Sequence, residues 1–224
     1  MLPRTLSANI KYNAIAGSIW SGKFTDLSVK QVGLGNVSWE LSALPLVWGN
    51  ADVSFNAHRE NIQLSGDASI GSAKLELDDV EINYPISDLM PLLYGLPLSI
   101  DGNIRGHFEN LFVEPGSQLS IKGRAVLSNM RLVAPQVLEL GSLVMQFEPE
   151  QDGTRIVIND QQGPVTVDAI VTINANGRYT VKSTLVPQPS ADNAIKNSLA
   201  MMIGAPDNRG RYTFNYSGAI PLRH

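Results

Sequence analysis

The chain has 224 residues, of which 17 are Lys or Arg and 21 are Asp or Glu, and it has no Cys. A chain of this length buries roughly 70% of the surface that it exposes when unfolded, so it needs neither a metal nor a disulfide to form a core. The absence of Cys excludes disulfides, thiolate metal sites and thiol nucleophiles. The formal net charge of -4, without long runs of either sign, argues against a nucleic-acid partner, because neutralising phosphates needs a concentrated basic face.

Strict alternation of apolar and polar residues is the dominant signal along the chain, and it is typical of strands that bury one face of a sheet. This alternation predicts strands at 37–41, 53–57, 62–70, 75–84, 98–108, 143–147, 165–174, 179–185 and 212–216. Around Asp78 and Asp79 the phase of the pattern slips by one residue, which predicts a β-bulge. Asp152-Gly153 and Asn176-Gly177 separate alternating runs and are typical of hairpin turns, so antiparallel pairing is expected.

Two segments have a helical pattern. The first is short, from about 87 to 94, with Gly95 as its expected end. The second begins after a cap at Ser190 or Asp192 and ends at Gly204. Its apolar residues form one stripe at helical spacing: Ile195, Leu199, Met202 and Ile203. A helix this short must lay its stripe on something apolar, either its own sheet or a binding partner.

The predicted elements occur in the same order twice. Leu34-Gly35 and Leu140-Gly141 each open a set of alternating strands, and each set leads to a helix and a Gly-rich strand. The sequence therefore predicts an internal repeat, roughly 15–110 and 119–220. Because strand pattern resumes directly at 119, we expect one continuous domain over 1–224 rather than two tethered ones.

The residues that could carry chemistry are not arranged for it. His58 and His107 lie on polar faces of predicted strands, His224 is the last residue, and no two are at metal-ligand spacing. Asp78 and Asp79 match neither a calcium loop nor a glycosidase pair, which favours a solvated bulge. We therefore expect no enzymatic activity, no metal and no cofactor.

The three tryptophans, Trp20, Trp39 and Trp48, allow two interpretations. They could form a platform that stacks sugars or bases, but they alternate with Val, Leu and Phe, which favours a place in the core.

Several short patterns, in their order and spacing, resemble the type II secretion system protein N family. They are Gly17-Ser18-Ile19-Trp20-Ser21-Gly22, Val37-Ser38-Trp39-Glu40-Leu41 followed by Leu44, Leu46 and Gly49, Gly163-Pro164-Val165, Asn176-Gly177-Arg178-Tyr179, Gly210-Arg211-Tyr212, and Gly218. The resemblance gives these residues a structural role and no chemical one.

The resemblance also implies a location and partners. It implies a membrane helix before Met1, absent from this chain, that anchors a periplasmic domain to the bacterial inner membrane. The implied partners are other secretion components, such as the outer-membrane secretin and the inner-membrane platform. The implied function is a non-enzymatic scaffold or assembly factor in protein export.

The expected fold is all-β: a strongly twisted, curled antiparallel sheet or a partly closed barrel, built from two similar halves, with two short helices. Such a sheet must cover its apolar face by closing, folding over or stacking. An alternative function follows from the same fold. Envelope lipid-transfer proteins such as the AsmA-like group hold acyl chains in an apolar groove, so a lipid ligand remains open at this point.

Overall fold

The fold is known from a computed structural model that describes residues 10–29, 32–43, 50–71, 74–89, 99–114, 118–134 and 137–219. The described strands form one antiparallel sheet of 14 strands. The first elements are β1 (Ile10–Lys11), β2 (Ala14–Gly17), β3 (Ser21–Val29), β4 (Val32–Ser42), β5 (Ala51–Arg59), β6 (Ile62–Ile70), β7 (Leu75–Pro85), α1 (Ile86–Leu89) and β8 (Ser99–Glu114). The remaining elements are β9 (Gln118–Ala134), β10 (Leu138–Glu150), β11 (Gly153–Gln162), β12 (Val165–Asn174), β13 (Arg178–Pro187), α2 (Asn193–Ile203) and β14 (Tyr212–Ala219).

The sheet is a meander in which nearly every strand pairs with its neighbours in sequence. From β3 to β14 the spatial order equals the chain order, while β1 and β2 both pair with β3. The sheet is curled, which confirms the expected all-β fold with a curled antiparallel sheet. Its two end strands do not pair with each other, so the sheet does not close into a barrel. Short turns make this order possible, as at Gly177, where a φ of 71° completes the β12–β13 hairpin.

One face of the sheet is largely apolar along the twelve strands of the meander, because the register aligns the alternating residues. The residues directly opposite each other along one such row are Phe24, Val37, Ala57, Leu64, Ile82, Gly106, Ala125, Met145, Ile158, Ala169, Ser183 and Phe214. The predicted bulge keeps this alignment. Asp79 has a φ of 48° and stands as the extra residue of β7 opposite β6, so apolar residues before and after it share one face.

The curl brings together strands that are not hydrogen-bonded neighbours. The Tyr84 hydroxyl of β7 donates to the Gly33 carbonyl of β4 at 2.5 Å, and β9 contacts both β11 and β12. Thr154 of β11 is 1% exposed, and its hydroxyl accepts a hydrogen bond from the Ile121 N–H of β9 at 3.0 Å. The apolar face is therefore the inner face of the curl.

The inner face is filled by packed side chains. The largest cluster joins β9, β10, β12 and β14 to both helices, and its buried members are Ile86, Met130, Leu132, Leu138, Leu140, Leu143, Val165, Val167, Leu199 and Tyr212. Three smaller clusters lie between β3 and β12. Together they remove most of the apolar row from water, which is the main favourable term in folding.

The second helix has caps that the sequence indicated, whereas the first differs from its predicted range, and its expected end at Gly95 lies outside the described residues. The Asp192 side chain accepts a hydrogen bond from the Ala194 N–H at 2.8 Å and so begins α2, and the Gly204 N–H bonds the Ala200 carbonyl at its end. The first helix is one turn, because α1 begins at Ile86 and ends at Leu89. The rest of its predicted range lies outside the described residues. No described helix has the length and apolarity needed to cross a membrane.

The two helices hold corresponding places in the chain. The helix α1 follows the run β3 to β7 and precedes β8, and α2 follows the run β9 to β13 and precedes β14. Backbone irregularities also correspond. In the first half, Asp26 has a φ of 50° and the next residue, Leu27, pairs with Gly35, whose φ is 73°. In the second half, Asn129 has a φ of 53° and the next residue, Met130, pairs with Gly141, whose φ is 77°.

Candidate interaction surfaces

An open groove crosses the polar face of the sheet between β5 and β10. It has a volume of about 1110 Å³, and its floor is formed by β7, β8 and β9. The register places its side chains in rows, as the apolar face does on the other side. One row runs Asn56, Ser65, Glu81, His107, Arg124 and Gln146, and the next runs His58, Gln63, Asn83, Arg105 and Val126. We call this cavity the polar groove.

The charges of the polar groove are unevenly paired. Lys122 forms an ion pair with Glu109, and Glu148 binds Arg155 at 3.2 Å. Arg105 and Arg124 form no ion pair and no side-chain hydrogen bond with any described residue. The groove therefore presents two unengaged guanidinium groups at its centre.

The strand β14 is the last strand of the sheet, and one of its edges has no partner among the described strands. Its sequence, Tyr212 to Ala219, contains no charged residue and no Pro. It pairs with β13 at all eight positions without a register shift. Natural edge strands are usually protected by Lys, Pro, bulges or short length, and β14 has none of these.

Two family-motif glycines lie directly opposite family-motif aromatics. Gly218 of β14 pairs with Tyr179 of β13, and a Cβ at Gly218 would come within 2.6 Å of the Tyr179 hydroxyl oxygen. Gly22 of β3 pairs with Trp39 of β4, whose ring occupies the place of a Cβ in the same way. Each glycine thus leaves room for a ring that covers its backbone near an end of the sheet. Partial burial also raises the pKa of the Tyr179 hydroxyl.

The other motif residues shape turns and close approaches. Gly17 has a φ of 113° in the β2–β3 turn, and Gly210 has a φ of 73° in the turn before β14. Gly163 leaves no room for a Cβ beside the Leu140 carbonyl. Tyr212 is 5% exposed and donates to the Lys196 carbonyl at 3.3 Å, which ties β14 to α2. Gly49 lies outside the described residues.

The core interpretation of the tryptophans is wrong for Trp20. It is 49% exposed at the β2–β3 turn, next to Ile19, which is 72% exposed. Trp20 lies in the turn between Gly17 and Ser21, where its carbonyl accepts a hydrogen bond from the Leu41 N–H of β4, and turn residues do not follow the alternation of a strand. Trp39 packs against Phe24 with ring centroids 4.8 Å apart, and Trp48 lies outside the described residues.

The apolar stripe of α2 packs onto the sheet. Leu199 is fully buried, and Ile195, Met202 and Ile203 pack against the largest core cluster. A role of the stripe in partner binding stays a prediction, since its side chains already have apolar neighbours in the chain. Among the described residues, no group of His, Asp and Glu is placed to hold a metal ion.

The fold and these surfaces define an all-β protein with an open edge and a broad polar groove. Its sequence matches the family "Type II secretion system (T2SS), protein N" over residues 8–215. It is 23% identical to type II secretion system protein N of Vibrio cholerae, over 97% of this chain and 88% of that protein. The homologue from Aeromonas hydrophila is also 23% identical, over 94% of this chain and 85% of its own length. No solved structure gives a significant match.

The match covers well over half of the chain, so the chain belongs to the type II secretion system protein N family. The resemblance in the short motifs is confirmed by this result. Sequence reasoning did not find the polar groove, because its residues come from six strands and only the register brings them together.

Proposed function

We propose that the protein is a non-enzymatic scaffold of the type II secretion system that binds another component of the apparatus by adding a strand to the edge of β14. Membership of the family supports a place in this system. The single observation that carries the mode of contact is the open, uncharged and regular edge of β14.

The edge offers backbone groups and side chains to an incoming strand. A strand that pairs with β14 gains main-chain hydrogen bonds, and its alternating side chains meet the two faces of the sheet. On the inner face the incoming strand would meet Phe214 and Tyr216, whose rings lie parallel with centroids 6.0 Å apart. On the outer face it would meet Thr213, Asn215 and Ser217, which are exposed. The matching partner is an extended, uncharged segment with an apolar face.

The chain itself contains an example of such a contact. We propose that the corresponding order of strands, helices and bulges reflects an internal duplication, with β3 to β8 as one unit and β9 to β14 as the other. In this arrangement β8 is the counterpart of β14. The outer edge of β8 is covered by β9, with a regular pairing over 103–108. The free edge of β14 therefore corresponds to the edge of β8, which the protein covers with the strand β9.

The opposite end of the sheet is protected differently. The strand β3 pairs with both β1 and β2 along its outer edge, so the chain covers its own first edge with short strands. This difference supports β14, and not β3, as the edge that receives a partner.

The proposed location is the periplasmic side of the inner membrane, and the proposed partners are the secretin or the inner-membrane platform. The family supports a location in the cell envelope, where these components meet. The alternative of a lipid-transfer protein would need an apolar cavity. The larger described cavity lies on the polar face instead, while the apolar side chains of the inner face pack into four clusters. We therefore favour the scaffold.

Site-specific photo-crosslinking in secreting cells tests this proposal. A photoreactive residue replaces Ser217 on the edge strand, and as a control Gln161, an exposed residue of the interior strand β11. We expect Ser217 to give an adduct that contains another secretion component, identified by mass spectrometry, and Gln161 to give none. An adduct of twice the chain mass would replace the proposal with self-association, and no adduct at Ser217 would overturn it.

A lysine substituted at the same two positions tests whether the edge of β14 is needed for secretion. Lys at an edge opposes strand pairing, so Ser217→Lys is expected to reduce secretion and crosslinking, while Gln161→Lys adds the same charge and leaves both unchanged. Equal secretion by the two variants would count against the edge as the site of contact.

A further inference from the structure

We propose that the polar groove is a binding site for a phosphate-bearing polar ligand, held by Arg105 and Arg124 with His107 between them. The ligand class is a phosphoryl group on a hydroxyl-rich body, either a phosphorylated saccharide or a phospholipid headgroup. This site is separate from the edge of β14, and neither proposal depends on the other.

The positions of Arg105, His107 and Arg124 follow from the register. On β8 and β9, His107 lies directly opposite Arg124, and Arg105 lies opposite Val126, two residues along. Arg105 is therefore a diagonal neighbour of Arg124 on the same face, a distance that long side chains span. All three side chains are exposed to the groove. The arrangement can converge on one anion from two sides.

No described residue forms an ion pair or a side-chain hydrogen bond with Arg105 or Arg124. Like charges on neighbouring strands are unfavourable, and an acidic partner normally offsets them. The groove does contain acids, but Glu109 is engaged by Lys122 and Glu148 by Arg155. Glu81 faces His107 across β7 and β8 without forming an ion pair, and the nearest carboxylate to His107 is that of Asp79 at 4.0 Å. Two guanidinium groups thus remain available to an external oxyanion.

The chemistry around the arginines selects the class of ligand. Guanidinium groups bind phosphate oxygens through paired, charge-assisted hydrogen bonds. Besides the charged residues, the groove is lined by uncharged donors and acceptors suited to hydroxyl groups: Asn56, Gln63, Ser65, Asn83 and Gln146. The volume of about 1110 Å³ is slightly above the range of roughly 300–1,000 Å³ for small-molecule sites, so the groove accommodates a ligand larger than a single phosphate.

Titration of the isotopically labelled chain with inorganic phosphate, at constant ionic strength, tests the site by NMR. We expect saturable shifts of backbone amides in 105–107 and 124–126. The variant Arg105→Gln/Arg124→Gln should weaken this binding by about tenfold or more, because each lost charge-assisted hydrogen bond is worth about one order of magnitude. The control Arg178→Gln/Arg209→Gln removes two exposed arginines outside the groove and should bind as the unmodified chain does.

Two further probes distinguish the sources of the phosphate. Glucose 6-phosphate competing with inorganic phosphate for the same amides would identify a phosphorylated saccharide. Co-flotation with phosphatidylglycerol vesicles but not phosphatidylcholine vesicles, lost in the groove variant, would identify a lipid headgroup. Shifts that do not saturate, or that persist in Arg105→Gln/Arg124→Gln, would overturn the proposal. Loss of binding in the control variant would overturn it as well, because binding would then depend on net charge alone.

Discussion

The Tyr84 hydroxyl donates a hydrogen bond to the Gly33 carbonyl oxygen, 51 positions earlier in the chain, over 2.5 Å. The two residues belong to β7 and β4, which are separated in the sheet by β5 and β6. Tyr84 is 2% exposed, and burial raises the pKa of its hydroxyl, so it remains a donor throughout the neutral range. This bond holds the curl of the first half of the sheet.

Removing that hydroxyl is expected to loosen the curl without changing the core volume. Tyr84→Phe keeps the ring but leaves the Gly33 carbonyl without this donor, and it should lower the free energy of unfolding by about 1–2 kcal/mol. Urea unfolding followed by fluorescence measures the change. Tyr12→Phe, at a ring that is 50% exposed, is the control and should have no effect. Equal stability of Tyr84→Phe and the unmodified chain would show that the bond contributes nothing.

The stripe of α2 gives a second prediction. Leu199→Asp places an unpaired carboxylate at a fully buried position and should lower the free energy of unfolding by several kcal/mol, about 3–5. Asn197→Asp adds the same charge on the exposed side of α2 and should change stability by less than about 0.5 kcal/mol. A Leu199→Asp variant that melts unchanged and no longer binds secretion components would instead make the stripe an interface.

The pair of Gly218 and Tyr179 can be tested by overpacking. Gly218→Ala forces the Tyr179 ring from its place over the glycine and should cost about 1–3 kcal/mol of stability. Because the cost arises from the ring, Tyr179→Ala/Gly218→Ala should be no less stable than Tyr179→Ala alone, which a double-mutant cycle of unfolding free energies measures. Ser217→Ala is the neutral control on the same strand. Additive effects in the cycle would contradict the contact.

The ion pair of Asp101 and Arg131 predicts part of the response to acid. The Arg131 guanidinium donates to Asp101 at 2.6 and 2.9 Å, and with the Gly102 N–H it lowers the pKa of this carboxyl below its ordinary value. A lowered pKa in the folded state means that the stabilisation is complete above the pKa of the unfolded chain. The stabilisation from this ion pair begins to be lost when the pH falls below the unfolded-state pKa of about 4, and it is fully lost once the pH is below the pKa of the folded state.

Asp101→Asn should therefore be less stable than the unmodified chain at pH 7, and the difference should shrink towards pH 3. Urea midpoints measured between pH 3 and pH 7 provide the comparison. Asp168→Asn, which removes an exposed carboxylate that forms no ion pair with any described residue, is the control and should be as stable as the unmodified chain at pH 7. A constant difference between Asp101→Asn and the unmodified chain at every pH would contradict the assignment.

The elements that sequence reasoning predicted are those governed by local patterns. Alternation located the strands, the phase slip located the bulge at Asp79, and the spacing of apolar residues located α2 with its cap at Asp192. These signals depend on neighbours a few positions apart, so a single sequence contains them. The exposure of Trp20 was not predictable in this way, since Trp20 lies in a turn, where the alternation of strand residues does not apply.

The candidate sites depend on relations that a sequence does not contain. The sequence places His107 on the polar face of a strand but does not relate it to Arg105 or Arg124, and only the pairing of β8 with β9 makes the three residues one group. The openness of β14 is likewise a property of the whole sheet, because an edge exists only where no other strand pairs.

The sequential order of the meander also governs how the molecule can form. Each strand from β3 onward hydrogen-bonds to the strand made just before it, so most pairings close short loops and are reached early in folding. Synthesis delivers the chain in the same order, and β3 to β8 can pair before β14 has emerged. The strand β14 is then the last strand of the sheet to be assembled. In the proposed complex, binding of a partner strand would therefore follow the completion of folding.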